Sequence, residues 1–315
     1  MRVLFAGTPS LAVPSLEKIS RLIDVAGVLT SPDKPAGRGR GCVPSPVKEA
    51  ALSLGLKLFQ PARLDAAFID EVRGLAPDLL VVAAYGKIFR PSFLDIFPSG
   101  GINLHPSLLP RFRGPSPITA AILAGDLETG VTVQRIALKF DTGDILGQER
   151  HPLHGDETTR ALSEMLAAEG AELMASVLAA FAAGKPPTPS AQREEDASYC
   201  HTLRKEDGLV DWGEPALLLE RKIRAYDPWP RAATTLNGEL LLLLKSHVHP
   251  DTLGSETAPE TPGVVHAADR EHGLLVQTGK GILAVERVQP RFKKAMDWRS
   301  FLNGHPEIIG KHLGT

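Results

Sequence analysis

Asn103 and His105 stand two residues apart in "GINLHPSLLPRFRG", residues 101 to 114, and two aspartates, Asp141 and Asp144, stand in the short loop "DTGD" further along. Neighbours at i and i+2 of an extended strand point to one side. Asn103 and His105 therefore share a face, and Leu104 turns the other way, into a core. Pro106 lacks a backbone donor and biases His105 toward an extended conformation. The strand ends there, with both polar side chains at its C-terminal edge, where ligands bind in open α/β sheets. An amide, an imidazole and a carboxylate gathered in one cleft can transfer an acyl group without a metal. The amide donates to a developing oxyanion. The imidazole polarises the carbonyl or shuttles a proton. The carboxylate orients the imidazole and favours its cation. Each residue alone has a plainer reading: a histidine at a strand end is commonly a hydrogen-bonded residue, and Asp-Thr-Gly is ordinary turn chemistry.

The flanking pattern supplies the elements that would position this set. "RVLFAG", "DVAGVLT", "LKLFQ", "DLLVVAAYG", "GGINLH" and "GVTVQRIALKF" read as strands. Between them fall helical patterns at Pro14 to Leu22, "SPVKEAALSLG" (Ser45 as cap, Pro46 at its first position), "DAAFIDEVRGLAP" and "SPITAAILAGD", with a long Ala/Leu/Glu helix over roughly 157 to 183. This βαβ rhythm predicts an α/β domain with a doubly wound, mostly parallel sheet. "FAGTP" lacks the full dinucleotide-binding fingerprint, and Gly7 reads as a tight turn beneath the cleft. The rhythm breaks at residues 184 to 207, rich in proline, serine and charge, which read as a surface linker. A helix ("PALLLERKIRAY") and several strands follow, with Asn237-Gly238 suited to a hairpin turn, so a small β-rich domain, a barrel, completes the chain. The expected boundaries are 1–185, a linker at 186–206, and 207–315.

The chain has 315 residues, is 43% apolar and 23% charged, and carries a formal net charge of -2. A contact with nucleic acid must therefore come from a local patch. One such patch is "DKPAGRGRGCVPSPVK", where Lys34, Arg38, Arg40 and Lys48 share a glycine-rich stretch. It reads either as a solvated loop or as a phosphate-binding segment that orders on contact. A second is "RVQPRFKKAMDWRS", with five basic residues near Phe292 and Trp298; a nucleic-acid groove and a charged helix over a core tryptophan fit it equally. Cys42 and Cys200 make neither a disulfide framework nor a zinc site, which fits a reduced, cytoplasmic setting. Met1 leads at once into a buried strand, too short for a leader, and no apolar run reaches the roughly 18 residues of a membrane span.

In combination, "FAGTP", "DKPAGRGRG…PSPVK", "INLHPSLLPRFRG", "DTGD", "KEDGLVDW" and "YDPWP" resemble the folate-dependent formyltransferases over nearly the whole chain, and among them the branch that acts on methionyl-tRNA. Pro106 and Asp227 depart from residues common in the family. The resemblance implies a Rossmann-like formyltransferase domain followed by a smaller OB-like barrel that binds tRNA. It implies formyl transfer from 10-formyltetrahydrofolate, a donor substrate and not a tightly bound cofactor, to the α-amine of methionine on initiator tRNA. It makes Asn103, His105 and Asp141 the catalytic set, leaves Asp144 structural, and requires no metal. Ser107, Leu108, Leu109 and Pro110, stiffened by two prolines, with Tyr85 and Gly86 walling a pterin slot, would hold the folate. Arg38, then Arg40, Lys34 and Lys48, would approach the tRNA acceptor end. A monomer without membrane or DNA contacts is expected. Two other readings stay open: a formyltransferase for a small amine, such as an amino-sugar nucleotide or glycinamide ribonucleotide, with less use for the basic loop; and a silent RNA-binding or folate-sensing module, with no use for an oxyanion donor beside a proton shuttle.

Overall fold

The computed structural model describes residues 1–36, 41–250 and 261–314. By compactness the chain divides into two units that interleave in sequence: Met1–Pro117, Glu128–Pro152 and Leu162–His201 in the first, Ile118–Leu127, Leu153–Ala161 and Thr202–Thr315 in the second.

The first unit carries strands β1 (Arg2–Gly7), β2 (Asp24–Leu29), β3 (Lys34–Ala36), β4 (Gly41–Val43), β5 (Leu58–Phe59), β6 (Leu79–Ala83), β7 (Gly101–His105), β8 (Glu128–Arg135) and β9 (Ile145–Pro152). Seven of them form one sheet in the order β5-β2-β1-β6-β7-β8-β9, and β3 and β4 pair as a separate antiparallel hairpin. The five strands from β5 to β7 run parallel, and β8 and β9 are antiparallel. β6 is buried at all five positions, the signature of a strand covered on both faces. Its helices are α1 (Val13–Ser20), α2 (Pro46–Ser53), α3 (Ala66–Arg73) and α4 (Pro91–Leu94); α5 (Pro117–Ala124) falls almost wholly in the second unit, and α6 (Thr159–Ala182) belongs to the first from Leu162 on. Local chemistry sets their starts. Ser45 accepts from Lys48 N at 3.1 Å to cap α2, as its sequence implied, and Asp65 accepts from Phe68 N at 3.1 Å to cap α3.

Four features differ from the sequence expectation. β8 ends at Arg135, and Leu138 and Phe140 beyond it are exposed, so the apolar pattern there belongs to a loop. β9 was not foreseen, because Glu149, Arg150 and His151 hide its alternation; such charges blunt an edge strand. Gly7 ends a strand and makes no turn: a Cβ there would lie 2.8 Å from Ala12 Cβ and 2.9 Å from the Ala83 carbonyl, so glycine permits close approach. Finally, α6 is long and apolar enough by composition to cross a membrane, contrary to expectation. Its Leu162, Leu166, Met174 and Leu178 are buried within the protein, as in the core helix of a domain. Leu104, turned away from Asn103 and His105 as predicted, packs where Gly170 leaves room on α6.

The second unit carries α7 (Ala216–Ala225), strands β10 (Ala233–Leu236), β11 (Glu239–Val248), β12 (Val265–Asp269), β13 (Gly273–Gln277), β14 (Ile282–Pro290) and β15 (Met296–Asp297), and α8 (Trp298–Gly304). The strands form a curled antiparallel sheet, β10-β11-β14-β13-β12 with β15 on β14, of OB-like type. Irregularities in the β11–β14 register at Lys245 supply local twist. Asn237 and Gly238, both in the left-handed region, make the predicted β10–β11 turn. Leu219 and Ile223 of α7, with Trp212, Trp298 and Phe301, fill its core.

Candidate active site

β7 presents Asn103 and His105 toward β8, whose register opposes Gln134 to Asn103 and Thr132 to His105. Directly opposed residues of an antiparallel pair share a face. Thr132 in turn opposes Gln148 on β9. A polar patch of Asn103, His105, Thr132, Gln134 and Gln148 thus lies on one side of three adjacent strands. Gln134 and Thr132 were missed in the sequence, though "TVQ" carried the same period-two signal as "NLH".

Asp141, not Asp144, joins this patch. It takes a left-handed φ of 53°, and donors hold its carboxylate: Gln134 Nε2 to Oδ1 at 2.9 Å and Gly114 N to Oδ2 at 2.9 Å. Asn103 Nδ2 approaches Oδ1 at 3.5 Å, and its second hydrogen meets no acceptor among the described residues. His105 Nδ1 lies 3.6 Å from Asp141 Oδ2, and its Nε2 is 3.0 Å from the Phe112 carbonyl. A carbonyl accepts only, so Nε2 carries the hydrogen, and in the neutral ring Nδ1 is the basic nitrogen, facing the carboxylate. Burial pushes the His105 imidazole below its ordinary range, against the upward pull of the Asp141 charge and the Phe112 carbonyl. The ring therefore rests neutral at pH 7, and the neighbouring carboxylate stabilises it when it takes up a proton.

The segment after β7 is braced from below. Thr132 Oγ1 donates to the Ser107 carbonyl at 2.6 Å and accepts from Leu109 N at 3.2 Å, while Gln148 Nε2 donates to the Leu109 carbonyl at 2.7 Å. Ser107 is itself buried and donates to the Arg111 carbonyl at 2.6 Å. Ser107 and Leu109 thus face inward, and Leu108 and Pro110 are half-buried. Across β6, Ala84 and Gly86 both adopt left-handed backbone, and nothing lies within 4 Å of where a Gly86 Cβ would be. The Tyr85 ring between them turns into the core, stacked on Phe89 at 5.4 Å. Its hydroxyl has no hydrogen-bond partner among the described residues, and burial pushes it up to about 12. At this turn the Tyr85 backbone, not its ring, can meet a ligand.

The remaining expected positions divide. Arg38 and Arg40 lie outside the described residues, and the Lys34 backbone is part of β3. Lys48 is paired with Asp33 at 2.5 Å, and Asp33 also accepts from Gln60 at 2.7 Å. Those two donors hold the Asp33 carboxyl below its usual range. In the second unit, Trp298 is a buried core residue, whereas Phe292 is 82% exposed with the Arg291 guanidinium 4.6 Å from its ring centre. No group of histidines, cysteines and carboxylates among the described residues is arranged to hold a metal.

Asn103, His105 and Asp141 come together at the strand ends of a doubly wound sheet, a set able to stabilise an oxyanion and move a proton, and this chain belongs to the formyltransferase family. The family described as formyl transferase matches residues 1–178, and its C-terminal domain matches residues 202–306. A protein of Treponema denticola described as methionyl-tRNA formyltransferase is 45% identical, over 98% of this chain and 98% of its own. One of the same description from Treponema pallidum is 46% identical over the whole of both. Two solved structures share the fold. An N-formyltransferase from Helicobacter canadensis, in complex with folinic acid and dTDP-3-aminofucose, gives a TM-score of 0.65 at 18% identity over 90% of this chain and 98% of that one. HypX from Aquifex aeolicus, in complex with tetrahydrofolic acid, gives 0.65 at 18% identity over 98% of this chain, which spans 48% of that protein's length.

Proposed function

We propose that this protein transfers a formyl group from 10-formyltetrahydrofolate to the α-amino group of methionyl initiator tRNA, yielding N-formylmethionyl-tRNA for translation initiation. The observation that carries the reading is the Asn103–His105–Asp141 cluster, in a chain that matches methionyl-tRNA formyltransferases end to end. The solved relatives that hold folates share its fold. The braced Ser107–Pro110 segment and the open backbone at Gly86 suit a flat ring, because a stiff site loses little entropy on binding.

In this mechanism the neutral α-amine attacks the formyl carbon. The free Nδ2 hydrogen of Asn103 stabilises the oxyanion that forms. His105 Nδ1 takes the proton released by the attacking nitrogen, and Asp141 stabilises the resulting imidazolium. The imidazolium returns that proton to the departing nitrogen of the tetrahydrofolate as the carbon–nitrogen bond breaks. The basic loop with Arg38 and Arg40 meets the tRNA acceptor end, and Lys48, tied to Asp33, serves mainly to anchor the loop's base. The protein acts as a monomer in the cytoplasm, with 1–185 as the catalytic domain and 207–315 as the tRNA-binding domain.

Incubation with 10-formyltetrahydrofolate and either charged initiator tRNA or a panel of small amines tests the reading. Formylated methionyl-tRNA is the expected product. Product formed only on an amino-sugar nucleotide or glycinamide ribonucleotide would replace it with the small-amine reading.

A further inference from the structure

The proline-, serine- and charge-rich segment that follows α6 belongs to the first unit as far as His201, and residues 190 to 200 pair with its other elements. Ser190 bridges to Ile145, and Tyr199 bridges to Arg113. Within it, Gln192 reaches the loop that carries Asp141. Its Nε2 donates to the Asp141 carbonyl at 2.9 Å and to the Gly143 carbonyl at 2.7 Å, and lies 3.3 Å from Gln134 Oε1. Its Oε1 accepts from Arg113 Nε at 3.0 Å. Arginine only donates, so this contact sets which end of the amide is oxygen and turns the nitrogen toward the two carbonyls. Arg113 is itself fully buried, with Nη1 held by Glu194 at 2.8 Å and by the Tyr199 hydroxyl at 2.9 Å. The amide is therefore fixed at both ends.

What it fixes matters to the chemistry. Asp141 sits in the left-handed region, which residues with a side chain adopt less readily than glycine. Gly143 packs so tightly that an added Cβ would fall on the Arg135 carbonyl. The loop keeps this shape because external donors hold its carbonyls. We infer that Gln192 is a positioning residue: by holding the Asp141 and Gly143 carbonyls it keeps the Asp141 carboxylate against His105 Nδ1. This rests on the proposed role of Asp141 and adds a residue from the supposed linker to the catalytic machinery.

Gln192→Glu is the informative variant. It keeps an acceptor for Arg113, so the buried guanidinium stays paired and the fold stands. It removes the donor and sets a carboxylate against two carbonyls. The groups facing His105 are Asp141 from the β8–β9 loop, Asn103 on its own strand, and the Phe112 carbonyl. Cys200 lies nearby, but burial pushes its thiol above the ordinary value, outside the working range. The new carboxylate at position 192 lies against the Arg113 guanidinium, which offsets its charge, so a displaced Asp141 is what moves the His105 titration. The measurements are kcat and both KM values between about pH 5 and 8, with melting temperature, for wild type, Gln192→Glu, Asp141→Asn and the double variant.

The expected result for Gln192→Glu is a loss of roughly 10- to 100-fold in kcat with both KM values nearly unchanged. Its acidic limb should shift to lower pH, the direction Asp141→Asn also takes, because each weakens the pull of the carboxylate on the imidazole. The double variant should be no slower than Asp141→Asn, since the two act as one unit. Wild-type kcat, additive losses, or a lowered kcat with an unmoved acidic limb and a depressed melting temperature would each overturn the inference while leaving the reading of Asp141 intact. A fully active Asp141→Asn would overturn both.

Discussion

Replacing Asp141 by asparagine isolates the one charge on which the proposed mechanism depends. The backbone tolerates the change, because asparagine, like aspartate, adopts the left-handed conformation that residue 141 takes. The hydrogen bonds also largely survive. The remaining oxygen can accept from Gly114 N, and Gln134 can turn its amide to meet the new donor. The loss is then the attraction between carboxylate and imidazolium. At the observed 3.6 Å between Asp141 Oδ2 and His105 Nδ1, one pair of unit charges in an effective dielectric near 20 interacts by about 4.6 kcal/mol. Because His105 rests neutral, that attraction appears only when the ring takes up a proton in the transition state, so it falls on kcat. That energy corresponds to a loss of the order of a few thousandfold. Single-turnover formylation of methionyl-tRNA at saturating donor, from about pH 5 to 8, measures it, and a melting curve checks the fold. Without the carboxylate the His105 value falls further, so the acidic limb moves to lower pH even as the plateau drops. A folded variant within about threefold of wild type, or an acidic limb displaced upward, would refute the assigned charge coupling.

Further outcomes follow from other contacts. Thr132→Val leaves the buried Ser107 carbonyl and Leu109 N–H without their partner, which should cost about 1–3 kcal/mol for each group; denaturant melts read the loss, and KM for the donor should rise several-fold. Native stability should fall as the pH drops below about 6.5, since the folded His105 resists a proton that the unfolded chain accepts. Denaturation of wild type and His105→Asn across that range should show the steeper decline in wild type. Arg38→Ala should reduce use of methionyl-tRNA strongly and reaction with a short methionine ester hardly at all, with weaker salt dependence on tRNA; equal losses on both substrates would assign the loop to the cleft instead.

Much of this protein is legible from local pattern. The βαβ rhythm, the helix cap at Ser45, the hairpin turn at Asn237-Gly238 and the end of β7 at His105 depend on periodicities and turn chemistry that act over a few residues. Asn103 and His105 share a face because a strand alternates, whatever surrounds it. The choice of Asp141 over Asp144 was not available from spacing; it came from a family resemblance, and the fold supplies the reason, since the carboxylate of Asp141 meets Gly114 N and Gln134.

What the tertiary structure alone decided lies in pairings between distant segments. Gln134 and Thr132 become neighbours of Asn103 and His105 only through the antiparallel register of β7 and β8. Tyr85 looked like a ligand wall, and its ring went to the core, because aromatic burial against Phe89 outweighs the unpartnered hydroxyl. Residues 190 to 200 looked like a linker because prolines, serines and charges carry no periodicity. Yet they fold against the catalytic loop, where the charge of a buried Arg113 must be met by Glu194, Tyr199 and Gln192. Composition records how polar a segment is; which buried group it satisfies is set by contacts that close only when the chain is folded.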